Sequence, residues 1–278
     1  MKRSVIFPNL VTAFSLSCGL FVIFKMALLP PGGVTYDQVL AAVLVLILAA
    51  FLDLLDGALA RAMKVESEFG RVFDSLADAV SFGVAPAVVV LKTLYIEPKS
   101  LMTFCLTTGA MIYAISGVLR LVRYTVARPV VADTAEESAQ KSNFTGLPIP
   151  ASAVLATSTT LFLMTPEAEF LYPFSHAARV WIATGVFVIL GYFMISRWKF
   201  PSLKNLHLRM SFIHIVIISA FVASVIFFVA LQYFAALLAL VSWLYLIIAW
   251  LLSLARVLAG KRLKALEGYE PEEDAEDL

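Results

Sequence analysis

Four aspartates occupy a stretch whose neighbours are almost wholly apolar. Asp53, Asp56, Asp74 and Asp78 lie in DLLDGALARAMKVESEFGRVFDSLAD, with VLAAVLVLILAAFL before it and VSFGVAPAVVVL soon after. A charge at membrane depth without a partner is costly, so an intramembrane acid is a functional hypothesis by default. Asp53 and Asp56 are spaced i,i+3, and Asp74 and Asp78 i,i+4, which puts each pair on one face of its own helix. A short turn around Lys64–Phe69 would let the two helices face each other and bring the four carboxylates to one pocket. Four anions repel unless a cation lies between them. An all-oxygen cluster with no His or Cys nearby suits a hard divalent ion, Mg²⁺ or Mn²⁺, which accepts carboxylate, water and phosphate together.

The residues between the acids fit a ligand site. Gly57, Ala60 and Gly70 leave room for a ligand against the backbone or for close helix packing. Arg61 adds a planar fork suited to a phosphate. Two other readings stand beside this one. The acids could pair with Arg61 and Arg71 and merely hold helices together. They could also line the path of a divalent-metal transporter, although no acid continues such a path through the later apolar stretches.

The elements that must position these residues are set by composition. Of 278 residues, 61% are hydrophobic and 15% charged, and the mean hydropathy is +0.90. A soluble domain carries roughly 25% charged residues. The pattern predicts an all-α polytopic membrane protein with about eight spans, at 9–29, 36–60, 70–96, 100–125, 148–165, 177–196, 210–232 and 235–256. Pro30-Pro31-Gly32-Gly33, Glu97-Pro98 and Thr165-Pro166 mark turns. With this layout, only Lys25, Lys92, Lys99 and Arg179 of the 21 basic residues fall on the side opposite the N-terminus. That asymmetry predicts a cytoplasmic N-terminus, a cytoplasmic C-terminus and acids at the cytoplasmic rim.

A membrane domain over 1–258 would be followed by an acidic tail over 259–278, without apolar periodicity and therefore disordered. The net charge of +1 gives no pull toward nucleic acid. Cys18 and Cys105 sit in apolar stretches as small packed hydrophobes rather than a disulfide. His176, His207 and His214 lack a partner motif. The basic start of the chain is followed by no cleavage site, which favours a retained first helix over a signal peptide.

The spacing Asp53-x2-Asp56-Gly57-x2-Ala60-Arg61-x8-Gly70-x3-Asp74-x3-Asp78 resembles the signature of the CDP-alcohol phosphotransferases at every fixed position. Members of that family move a substituted phosphate from a CDP-linked donor to an alcohol and release CMP. The resemblance implies a six-helix membrane core with a divalent-metal site facing the cytoplasm. AVSFGVAPA at 79–87, PNLVT at 8–12, FTGLPIPASA at 144–153 and SRWKFPSLK at 196–204 resemble the branch that makes phosphatidylserine. One segment departs: in LRLVRYT at 119–125, Thr125 stands where that branch has asparagine.

The resemblance covers about residues 5–256 and implies roles residue by residue. Asp53, Asp56 and Asp74 would bind metal, with Asp78 close enough to share in it. Asp78 would be the general base that takes the proton of the acceptor hydroxyl. The donor would be CDP-diacylglycerol and the acceptor L-serine; another alcohol such as glycerol 3-phosphate, inositol phosphate or choline is the alternative. Gly57, Ala60, Arg61 and Gly70 would form the nucleotide side of the pocket. Asn9 and Thr12 would hydrogen-bond cytidine or ribose, or are ordinary polar residues near a helix start. Arg120 and Arg123, spaced i,i+3, would bind the serine carboxylate or the lipid phosphate, or are cationic flanks that set topology. Lys199 and Lys204 belong to a basic loop that meets anionic lipid heads or anchors the fold. The family resemblance also implies a homodimer among membrane lipids, in the inner membrane if the cell is bacterial.

Overall fold

The computed structural model describes residues 3–30, 32–63, 67–94, 99–127, 144–171, 175–196, 199–200 and 233–255. The expected span at 210–232 and the acidic tail at 259–278 lie outside them. The chain is helical: α1 (Arg3–Ala27), α2 (Tyr36–Met63), α3 (Glu68–Asp78), a π-helical segment (Ala79–Val84) and α4 (Ala85–Thr93) come first. After them come α5 (Leu101–Ala127), α6 (Ile149–Phe162), α7 (Pro166–Leu171), α8 (His176–Ile195) and α9 (Tyr233–Ala255). The residues Phe144–Thr145 (β1) and Lys199–Phe200 (β2) pair antiparallel, Phe144 opposite Phe200 and Thr145 opposite Lys199. Among the described residues six helical stretches are long and apolar enough to cross a membrane, with α3, the π segment and α4 together forming one of them. The protein is an integral membrane protein.

The stretch expected to span at 148–165 forms a helix of 14 residues, Ile149–Phe162. At 1.5 Å per residue that is about 21 Å, short of a ~30 Å hydrocarbon layer. Prolines set both limits. Pro150 lies in the first turn, and Pro166 opens the next helix, where the Thr165 hydroxyl accepts from the Ala168 N–H.

The core runs along the inside of the bundle, with Tyr113, Phe82, Phe187, Leu147, Ile149 and Met194 among its largest fully buried side chains. Phe14, Phe21, Phe51, Phe104, Ile115 and Leu251 point outward instead. Apolar residues on the outer face of a membrane bundle need no polar cover. Close helix approach depends on small residues. A Cβ on Gly109 would lie 3.3 Å from Thr184 Cγ2, and one on Gly191 would lie 3.1 Å from Ser116 Oγ, where α5 meets α8. Helix α9 is fastened to α6 by polar contacts: the Trp243 indole N–H donates to Thr159 Oγ1 at 2.8 Å, and Ser158 and Ser242 share a hydroxyl contact of 3.1 Å.

Two basic residues satisfy helix ends. Lys92 Nζ donates to the Leu29 and Ala27 carbonyls at 3.3 and 3.4 Å, just beyond and at the end of α1. Arg123 Nη1 donates to the Ile195 carbonyl, the last residue of α8, at 3.0 Å. Both put a cation where helix carbonyls converge. Beside Arg123, Gly146 adopts a φ of +83°, and a Cβ there would come 2.6 Å from the Met194 carbonyl oxygen. The FTG segment can fold back on the end of α8 only because this residue is glycine.

Helix α1 approaches the π segment still more closely. A Cβ on Gly19 would lie 2.7 Å from Ser81 Cα, a distance that backbone cannot absorb without a shift. Gly19→Ala is therefore expected to cost about 1–3 kcal/mol through overpacking. Thermal unfolding in detergent should show a lower Tm; an unchanged Tm would mean that the contact has slack.

Candidate active site

Asp53 and Asp56 sit on α2 before its last turn, and Asp74 and Asp78 sit on α3, with Asp78 its last residue. Helix α3 starts cleanly because Ser67 is its N-cap: the Ser67 hydroxyl accepts from the Gly70 N–H at 3.0 Å. Carboxylate oxygens of Asp53, Asp56 and Asp74 all lie within 4.8 Å of one another. The Asp53 side chain also neighbours those of both Asp78 and Asp74. The fourth aspartate therefore joins the cluster through Asp53. Asp56 is buried, 4% exposed.

Carboxylates in such contact need a proton or a cation between them. The donor set is carboxylate oxygen alone, with no nitrogen or sulfur among the grouped residues. Such a set fits a hard divalent ion and not a soft one. Asp53, Asp56 and Asp74 could hold it.

The first helix contributes directly. Thr12 Oγ1 donates to Asp56 Oδ2 at 2.6 Å, and both residues are buried. This bond spends the hydroxyl proton of Thr12 on a carboxylate, while its oxygen keeps accepting capacity. One turn earlier, Asn9 reaches over Gly70: a Cβ on Gly70 would lie 3.0 Å from Asn9 Oδ1. The Asn9 Nδ2 is buried and has no hydrogen-bond partner among the described residues. Gly70 thus allows α1 to approach the start of α3, and it leaves an amide donor beside the acid helix.

The other candidates from the sequence are spread along α2, α5 and β2. Gly57 comes directly after Asp56 on α2 and is half-buried. Ala60 and Arg61 lie on the last turns of α2, with side chains outside the described residues. Arg120 is buried, 8% exposed, on α5. Arg123, one turn on, is engaged with the end of α8. Lys199 lies on β2, and Lys204 lies outside the described residues.

One tie is not foreseen by the sequence pattern. Ser75, between Asp74 and Asp78, makes a hydroxyl contact of 3.0 Å with Thr125 on α5. Each hydroxyl is also bonded to its own helix, Ser75 to the Arg71 carbonyl at 3.0 Å and Thr125 to the Leu121 carbonyl at 2.9 Å. Thr125 therefore links the acid helix to α5. The one signal in the sequence is Ser75, a short polar residue on the helix that carries the acids.

The fold and cluster together define a class: a helical membrane protein with an oxygen-only acid site shared by two spans. Residues 5–255 match the family model described as CDP-alcohol phosphatidyltransferase, and the chain belongs to that family. It is 31% identical over 213 residues to the CDP-diacylglycerol–serine O-phosphatidyltransferase of Helicobacter pylori strain J99, covering 77% of this chain and 79% of that protein. Identity to the protein of the same description in Bacillus subtilis strain 168 is 28% over 198 residues, 71% of this chain and 91% of that one. A third such relative, from Methanocaldococcus jannaschii, is 32% identical over 159 residues, 57% of this chain and 62% of its own.

Thr12 offers a test of the cluster apart from turnover. Thr12→Val keeps the shape and removes the bond to Asp56. Mn²⁺ affinity, measured by calorimetry or electron paramagnetic resonance, is expected to weaken about 10–100-fold, as loss of a group that orients a ligand does. Affinity equal to that of the parent would show that Asp56 needs no such support.

Proposed function

We propose that this chain transfers the phosphatidyl group of CDP-diacylglycerol to the hydroxyl of L-serine, giving phosphatidylserine and CMP. The observation that carries the reading is the convergence of Asp53, Asp56 and Asp74 at the meeting of two spans. The family match and the activity for which the relatives are named support the donor and the acceptor.

Asp53, Asp56 and Asp74 would hold a divalent ion, Mg²⁺ or Mn²⁺. When bound, that ion supplies positive charge against the donor diphosphate and the departing CMP. The remaining work falls to the chain. A serine hydroxyl is a weak nucleophile at neutral pH and needs a base. Asp78 is that base: it takes the hydroxyl proton as the serine oxygen bonds to the phosphatidyl phosphorus. The bond from that phosphorus to the CMP oxygen breaks as the new one forms, and CMP leaves with the electron pair. Transfer is direct, without a phosphorylated enzyme. Thr12 keeps Asp56 in place, and Asn9 offers its amide donor to the nucleotide. Gly57, Ala60, Arg61 and Gly70 make up the nucleotide side, with Arg61 on a phosphate. Arg120 stands nearer this role than Arg123, which is committed to the end of α8.

The site faces the cytoplasm on this reading, and the distribution of Lys and Arg supports that orientation. A soluble alcohol and a lipid donor then meet at the inner rim of the bilayer. Assembly as a homodimer is implied by the family resemblance.

CMP release by purified protein in detergent tests the proposal, with CDP-diacylglycerol, Mn²⁺ or Mg²⁺, and serine, glycerol 3-phosphate, inositol phosphate or choline offered separately. Release is expected with serine alone and is expected to fall about 10²–10⁴-fold in Asp78→Asn, the usual contribution of a positioned base. Release with a different alcohol would keep the family and overturn the acceptor. Full activity in the variant would remove Asp78 from its role.

A further inference from the structure

Directly after Asp78 the third span changes its winding. Residues Ala79–Val84 are π-helical, and the Ala85 N–H bonds back five residues to the Val80 carbonyl. Proline explains why. A regular α-helix would offer the Phe82 carbonyl to the N–H of residue 86, but Pro86 has none, and its ring would crowd that same carbonyl. The turn widens, and the Phe82 carbonyl turns to a side chain from another helix. Tyr113 Oη, on α5, donates to it at 2.7 Å.

Tyr113 is wholly buried and held on two further sides. Its hydroxyl lies 3.4 Å from Ser152 Oγ, and its ring packs against Phe187 with centroids 5.1 Å apart. On the opposite side, α1 braces the same segment: Ser81 Oγ donates to the Ser15 carbonyl at 3.3 Å, beside the tight approach at Gly19. The π segment is thus clamped between α1 and α5. One residue inserted into a helix rotates its C-terminal part by about 100° relative to its N-terminal part. The wide turn therefore sets the phase of Asp74 and Asp78 relative to the buried face of α4. In a bilayer no water stands ready to replace a lost partner of that carbonyl.

We infer that Tyr113 is a positioning residue for the acid cluster: through the Phe82 carbonyl it holds the wide turn that fixes Asp78 against Asp53. The inference rests on the proposed role of the four acids, but it does not depend on which alcohol is the acceptor.

The test is Tyr113→Phe in the full chain in detergent, read three ways. Amide hydrogen exchange is expected to rise over residues 79–87 and to stay at parental levels in α8 and α9. Mn²⁺ affinity is expected to fall, and kcat for CMP release to drop about tenfold or more with KM for the alcohol nearly constant, the pattern of a lost transition-state arrangement. Parental exchange over 79–87 would overturn the inference. So would raised exchange there with parental Mn²⁺ affinity and kcat. If Tyr113→Phe alone yields no folded protein, the comparison moves to Pro86→Ala, which gives the Phe82 carbonyl a backbone donor. There the added Tyr113→Phe is expected to change neither exchange nor Mn²⁺ affinity, because the carbonyl no longer needs the tyrosine. A further loss in that background would overturn the inference. A parent protein that binds Mn²⁺ yet releases no CMP would sink the transferase reading and leave the exchange and metal arms readable.

Discussion

Carboxylates repel, and a low-dielectric surrounding makes the repulsion stronger. Holding Asp53, Asp56 and Asp74 within 4.8 Å of one another, with Asp78 beside Asp53, is the constraint around which this bundle is arranged. Left to themselves the two helices would splay apart at their polar ends. Opposing that, α1 lies against both: Thr12 holds Asp56, Ser15 donates to the Ala49 carbonyl on α2 at 3.0 Å, and Asn9 reaches across Gly70 of α3. From the other side Thr125 of α5 meets Ser75. Hydroxyl and amide groups of α1 and α5 thus stand around the acids, and a cation between the carboxylates would relieve the repulsion that remains.

The same scarcity of water governs the rest of the bundle. Buried hydroxyls bond back to their own helices, as Thr157 and Thr160 do to the carbonyls of Ala153 and Ala156. Where helices end, cations or capping hydroxyls take over, as with Lys92, Arg123, Ser67 and Ser175. Where a helix is disturbed from within, at Pro86, a tyrosine from the next span takes the carbonyl. Each case is the same requirement, that backbone polar groups at membrane depth find a partner inside the protein.

Much of this is legible in the sequence because it arises from local pattern. Apolar stretches of sufficient length give the spans, and i,i+3 and i,i+4 spacing gives the acid faces. The rest depends on which residue meets which between helices far apart in the chain. Thr12 reads as a candidate for the nucleotide, and nothing local shows that its hydroxyl goes to Asp56, 44 residues on. Arg123 reads as the equal of Arg120, yet only its neighbour in space, the end of α8, separates the two. Hydropathy also overstates 148–165, because a sum over a window does not register that prolines shorten the helix. Pro86 lies in plain view, but its consequence needs Tyr113, 27 residues later in the chain.

The winding change gives the third span two jobs that a uniform helix could not combine. Its first part, α3, is amphipathic and presents acids to α2, while α4 buries Ala85, Pro86, Ala87, Val89 and Val90 in the bundle. A regular helix would lock one phase to the other, so that a good acid site and a good apolar seam would have to coincide on one periodicity. The π segment releases that coupling at the residue after Asp78. The acid helix can then be aligned by its polar contacts with α1, α2 and α5, and α4 by packing alone.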